Sequence, residues 1–345
     1  MYFKSILLNM MNKLLDCITN KNSSEIPIWF MRQAGRYLPE FREIRKKNTD
    51  FIKLCLNKKL VHEITLQPLT RFNLDAAIIF SDILMIPYGL NQQVEFKKGI
   101  GPILGNIDID KILSVDPEEF VKKVNPVYEA INDVSKNTKG QSVIGFVGAP
   151  WTLLVYMINK QSPKENFSLS NILKEKSSTA MLLKKIEETV CLHAVKQIEA
   201  GANVIQVFDS WAGLLPQNEL DKYCFTPNQK IAEHIKTFNV PVICFPRGIG
   251  KNYVDFCSVV KPNCISIDYD VDPKLIKNKV KEIAVQGGLD PKVLLKDNKS
   301  IKKEVQNYLN IFSGQPYVFN LGHGVLPETK PETIQYVTDL VRNFK

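Results

Sequence analysis

The sequence predicts an α/β chain folded as a (β/α)8 TIM barrel, a single domain over residues 1–345 with residues 1–20 as an N-terminal helix or ragged extension. Three observations lead there. Short β-rich runs alternate with helical stretches eight times. Most of the runs are continuously apolar, as strands covered on both faces of a parallel sheet are. The alternative, a doubly wound open sheet, would carry a G-x-G-x-x-G fingerprint after its first strand, and none is present.

The first run is PIWF (27–30). A helix over 58–74, with Leu60, Ile64 and Leu66 spaced along it, leads to the second, DAAIIF (75–80). GIGPILG (99–105) has glycines but no strand before it and reads as a hairpin or loop insertion. SVIGFV (142–147) is the third strand. A long helix over 180–199 repeats Leu183, Ile186, Val190, Ala194 and Ile198 at helical spacing, and Gly201 ends it before the fourth strand, NVIQVF (203–208). VPVICF (240–245), CISIDY (264–269), EIAVQG (282–287) and PYVFNL (316–321) complete the eight. A last helix over 331–343 starts at Pro331.

Composition narrows the function. Hydrophobic residues make up 44%, enough for a large core. The net charge of +9 suits an acidic partner, but the lysines are dispersed and no basic block with interleaved aromatics occurs, which argues against nucleic acid. Seven cysteines without any C-x-x-C spacing are neither a disulfide framework nor a zinc knuckle and suit a reducing cytoplasm. No apolar run approaches the ~20 residues of a membrane span. The opening MYFKSILLNMM is interrupted by Asn9 and reads as a lead into a helix rather than a signal peptide.

In such a barrel the chemistry sits where strands end. Those ends carry Arg32 and Arg36, Asp82 after Ser81, Asp209 and Ser210, Arg247, Asp268, Asp290 and His323, with Tyr156 following the third strand. Arginine is scarce: 7 of the 45 basic residues, four of them (Arg32, Arg36, Arg42, Arg45) within one short region. Where lysine is the default cation, an arginine points to a need for its planar, bidentate fork. Arg32 and Arg36 directly follow a strand and read as carboxylate or phosphate grips, whereas Arg42 and Arg45 read as surface residues pairing with Glu40 or Glu43. Asp209, Asp268 and Asp290 read as capping or structural acids. Neither H-x-x-x-H nor G-x-S-x-G is present, so a zinc site and serine-hydrolase chemistry are not expected.

IWFMRQAGRYLPEFRE and GFVGAPWTLLVYMI resemble the two characteristic motifs of uroporphyrinogen decarboxylase, and FSDIL (80–84), FDSWAG (208–213), GGLDP (287–291) and NLGHG (320–324) match that family in order and spacing. Barrel methyltransferases of the wider superfamily carry H-x-C…C zinc ligands, which this chain lacks. The resemblance implies a homodimeric barrel enzyme without cofactor or metal, which removes the four acetate carboxyls of uroporphyrinogen III to give coproporphyrinogen III. It implies that Arg32, Gln33, Arg36, Asp82, Tyr156, Ser210 and His323 meet the polyanionic tetrapyrrole. Arg32, Tyr156 and His323 are candidate proton donors beside Asp82, together with a substrate carboxyl or water. One departure stands out: Trp211 occupies a position where many members have His.

Overall fold

The computed structural model describes residues 12–138, 140–164, 167–169, 172 and 177–344. Its central sheet is parallel and has seven strands: β1 (Ala76–Ile78), β4 (Ser142–Gly148), β5 (Val204–Asp209), β6 (Val242–Pro246), β7 (Cys264–Ile267), β8 (Ala284–Gly287) and β9 (Tyr317–Val318), neighbours in that order. An antiparallel hairpin of β2 (Val94–Lys97) and β3 (Gly101–Leu104) stands apart where 99–105 reads as an insertion. β6, β7 and β8 are buried at every position, as expected of strands covered on both faces.

The segment 27–30 supplies the eighth stave, but as a shorter one than its apolar run predicts. It bridges β9 through Ile28 and Phe319, and Phe319 N–H donates to Pro27 O at 2.8 Å. On its other side Asp75 N–H donates to Ile28 O at 2.9 Å, and the Asp75 carboxylate accepts Ile28 N–H at 2.7 Å. Pairing stops there because the chain turns at once: Gln33 N–H reaches back to Phe30 O at 2.9 Å.

Two apolar cores result. One lies between sheet and helices. The other fills the barrel and includes Trp29, Met31, Ile78, Ile144, Val204, Ile243, Phe245 and Val318. The helix Lys13–Thr19 belongs to the second, placing Leu14, Cys17 and Ile18 under the strands as a plug. Asn12 caps that helix through Leu15 N–H at 3.1 Å. Residues 1–11 of the expected N-terminal extension lie outside the described residues. Inside the barrel Trp29 Nε1–H donates to Gln286 Oε1 at 2.9 Å, and the Gln286 amide reaches Ser266 at 3.2 Å and Gln206 at 3.3 Å, so the polar side chains here are mutually satisfied.

Helices cover the sheet as the periodicity predicts: Lys58–Arg71, Ser177–Glu199 and Pro331–Arg342 coincide with the expected spans to within three residues at each end.

Candidate functional site

The C-terminal rim is assembled from the loops after each strand. Arg32 follows the first stave with φ of 60°, in the left-handed region that a non-glycine residue enters only when its surroundings hold it there. They do. Met31 N–H donates to Asn320 Oδ1 at 3.0 Å, Val325 N–H donates to Met31 O at 2.9 Å, and the Gln33 carboxamide accepts Phe30 N–H at 3.1 Å while donating to Ala76 O at 2.9 Å. Gln33 is thereby committed: its side chain is completely buried and locks the turn, rather than opening on the mouth as the resemblance implies.

The seven arginines divide by what they hold. Arg42 donates to the carbonyls of Arg36 and Tyr37, and Arg45 to those of Asn48 and Thr49, so neither pairs with Glu40 or Glu43 as the sequence suggested. Glu40 is gripped by Arg71 with a two-pronged contact at 3.0 and 3.2 Å. Arg342 binds Asp75 at 2.8 Å and Asn73 O at 2.7 Å. The other three guanidiniums, Arg32, Arg36 and Arg247, make no hydrogen bond or ion pair to a described residue. All three belong to strand-end loops of the same rim.

Asp82 sits half-buried after β1. One carboxylate oxygen closes a turn by accepting Leu84 N–H at 2.9 Å. Burial pushes its pKa up to about 6, with the Leu84 bond and the charge of Arg32 pulling the other way. Tyr156 emerges from the helix Pro150–Asn159, whose other faces are packed away, and its ring meets Trp211 edge-on at 5.9 Å. Burial raises the Tyr156 phenol as well, so it stands protonated at neutral pH within the fields of Asp82 and Arg32. His323 is pushed down to about 4, first by burial and then by Arg32 and Arg247. It is a neutral imidazole at physiological pH. Arg32 is thus the common neighbour of Asp82, Tyr156 and His323.

Ser210 stands half-buried directly after β5, and its hydroxyl makes no hydrogen bond to a described residue. Its predecessor Asp209 has the structural role the sequence predicts. Completely buried, it accepts Thr152 Oγ1–H at 2.6 Å and the Asn228 amide at 3.0 Å, and burial raises it to about 6. Thr152 in turn accepts Trp211 N–H at 3.0 Å, and Trp151 Nε1–H donates to Trp211 O at 2.9 Å. Asp268 accepts Gly248 N–H at 2.6 Å and the Tyr253 hydroxyl at 3.0 Å, and Asp290 caps the turn after β8 through Lys292 N–H.

Below the rim, Phe146, Phe208 and Phe245 meet edge-to-face at 5.6 and 6.3 Å and give the mouth an aromatic floor. The strand-end reading included Ser81 and Trp211 but not the state of their polar atoms. The Ser81 hydroxyl and the Trp211 indole N–H are buried without a partner at hydrogen-bond geometry among the described residues. No motif signals an unsatisfied group, because that is a property of three-dimensional surroundings. Among the described residues no three His, Cys, Asp or Glu side chains are grouped to hold a metal ion. The arrangement is a set of strand-end arginines and one half-buried carboxylate above an apolar floor, which can pair with anionic groups and accept polar N–H donors.

The family model of uroporphyrinogen decarboxylase (URO-D) matches residues 9–344. The uroporphyrinogen decarboxylase of Rickettsia bellii (strain RML369-C) is 40% identical over 324 residues, covering 92% of this chain and 95% of that protein. That of Rickettsia canadensis (strain McKiel) is 38% identical over 329 residues, covering 94% and 97%. Among solved structures, a methyltransferase from Methanosarcina mazei superposes with a TM-score of 0.79 at 15% identity, covering 96% of this chain and 98% of the other, a likeness of fold alone.

Proposed function

The chain belongs to the uroporphyrinogen decarboxylase family, and on that premise we propose that Arg32, Arg36, Tyr156, Ser210 and His323 hold the substrate around Asp82 at the mouth of a single barrel domain. The activity is decarboxylation of uroporphyrinogen in the heme pathway. The complete conversion takes the four acetate arms of uroporphyrinogen III to methyl groups and yields coproporphyrinogen III. What carries the site assignment is the set of strand-end arginines without partners among the described residues, one of which, Arg32, acts on the half-buried Asp82.

The chemistry follows from the substrate. Protonation of a pyrrole ring carbon makes that ring an iminium-like cation. The bond from the acetate methylene to its carboxyl carbon then breaks, its electron pair flows into the ring, and carbon dioxide leaves. The exocyclic methylene carbon takes up a proton, the ring carbon gives its own back, and a methyl group remains. The ring is its own electron sink, which is why the proposal includes no cofactor and no metal.

Asp82 accepts the central pyrrole N–H groups and stabilises the cationic ring. With a pKa raised to about 6 it is an anion at pH 7–8, and the desolvation that raised it also strengthens its pull on the cation. Arg32 and Arg36 fix acetate and propionate carboxylates with paired bonds, which converts loose encounters into one reactive orientation. Tyr156 and His323 act as neutral hydrogen-bond donors. His323, lowered to about 4, does not carry the acidic proton at neutral pH, which leaves Arg32, Tyr156, a substrate carboxyl and water as the donor candidates. Gln33 serves by holding the Arg32 turn.

The proposal extends to a cytoplasmic homodimer. The family resemblance supports the dimer, and sedimentation tests it. All seven cysteines are unpaired thiols, as in a reducing compartment, and among the described residues no helix is long and apolar enough to cross a membrane. The decisive assay is anaerobic incubation with uroporphyrinogen III, with products separated by carboxyl number. A descending series ending at coproporphyrinogen III supports the reading, and tight porphyrin binding without release of carbon dioxide overturns it.

A further inference from the structure

Arg247 stands across the mouth from Arg32 and Arg36. Counting staves from 27–30 through β1, β4 and β5, β6 is the fifth of eight, half a turn around the barrel, and Arg247 directly follows it. Its backbone is anchored on three sides. Its N–H donates to Asp209 O at 3.1 Å, its carbonyl accepts Gly213 N–H at 2.9 Å, and the following Gly248 N–H binds the Asp268 carboxylate at 2.6 Å. Gly213 and Gly248 meet backbone to backbone: a β-carbon on Gly213 would lie 2.7 Å from Gly248 O, and Gly248 has φ of 85°. Two buried acids and two glycines thus fix the root of a side chain whose guanidinium makes no hydrogen bond or ion pair to a described residue. That head lies within electrostatic reach of His323, which Arg32 also reaches.

We infer that Arg247 is a third carboxylate anchor, which grips an arm of the macrocycle on the side opposite the arms held by Arg32 and Arg36. The inference rests on the decarboxylase reading for its ligand. A tetrapyrrole with carboxylates around its whole rim presents a partner to both sides of the mouth. Grips on one side leave the ring free to pivot, whereas a grip on the far side fixes its rotation. That matters for an enzyme that presents four different acetates in turn to one Asp82. A rooted arginine supplies the far grip without an ordering cost at the backbone.

The test compares wild-type chain with Arg247→Gln and Arg247→Lys. Expected for Arg247→Gln are a rise of about ten- to a hundredfold in KM for uroporphyrinogen III, a larger fraction of released products with intermediate carboxyl numbers, and an unchanged melting temperature. Arg247→Lys falls between, since it keeps the charge and loses the fork. Tryptophan quenching by uroporphyrin III reads the same weakening without turnover. Unchanged KM and unchanged quenching in Arg247→Gln overturn the anchor, as does a loss matched by a fall in melting temperature in both variants. A wild-type chain that releases no carbon dioxide overturns the decarboxylase reading instead, and weaker uroporphyrin binding by Arg247→Gln in that same chain still supports the anchor.

Discussion

Arg32 crosses Gly324 in contact: a β-carbon built on Gly324 would lie 2.3 Å from Arg32 Cδ and 2.7 Å from its Cγ. The glycine beside His323 is therefore part of the arginine's seat. Gly324→Ala must push the guanidinium off its path while leaving the barrel intact. Displacement of a positioning group by about an ångström costs on the order of a hundredfold in rate. The expected outcome is a loss of kcat/KM between ten- and a hundredfold with near-native thermal unfolding. Normal turnover would show that the arginine's placement is not critical.

Asp82→Asn keeps an oxygen for Leu84 N–H but removes the charge. Turnover should fall to near zero. Stability should move the other way. A carboxyl whose folded pKa is raised to about 6 above its unfolded value binds its proton more tightly when folded, so its ionisation destabilises the fold progressively from pH 4 to 6 and constantly above. The amide avoids this, and because Asp82 keeps some solvent contact the gain is about 1 kcal/mol at pH 7.5, vanishing toward pH 4. In the wild type, kcat/KM should fall as pH drops through about 6 with a one-proton slope. His323→Gln should retain that limb, since its own transition lies near 4. Loss of the limb in the histidine variant would assign it to His323.

Arg36→Lys preserves charge and removes the two-pronged geometry. A rise in KM of about tenfold is expected, with melting unchanged because the Arg36 guanidinium holds nothing among the described residues. Identical kinetics would show that the position supplies only charge.

Asp209→Ala tests the scaffold under the rim. It strands the buried Thr152 hydroxyl and Asn228 amide, at about 2–3 kcal/mol, and loosens the Thr152 bond to Trp211 N–H. Chemical denaturation should show this loss at pH 7.5. Thr152→Val added to Asp209→Ala should cost less than the two single losses combined, because the partners share one network.

The barrel was legible because its strands are buried on both faces and its long helices keep a clean period. The β6 sequence Val242–Pro246 has no polar residue to confuse the reading. The first stave was read too long because apolarity marks burial, not ladder pairing, and Phe30 is buried in a turn. At the site, strand-end position singled out Arg32, Arg36, Asp82 and His323 without any contact being known. The family resemblance added Gln33 to them, since an amide that serves its own loop and one that serves a ligand look alike in a sequence. The partners of Arg42, Arg45 and Arg71 were likewise out of reach, because backbone carbonyls and residues 31 positions away leave no local trace.

The sorting of arginines into engaged and open also makes this chain a simple subject for covalent labelling. A dicarbonyl reagent selective for guanidinium would meet four heads already occupied by carbonyls and carboxylates, and three on strand-end loops with no partner among the described residues. Inactivation should then follow the labelling of very few groups. A bound porphyrin should shield them together, so that protection mapped by peptide mass outlines the footprint of the ring.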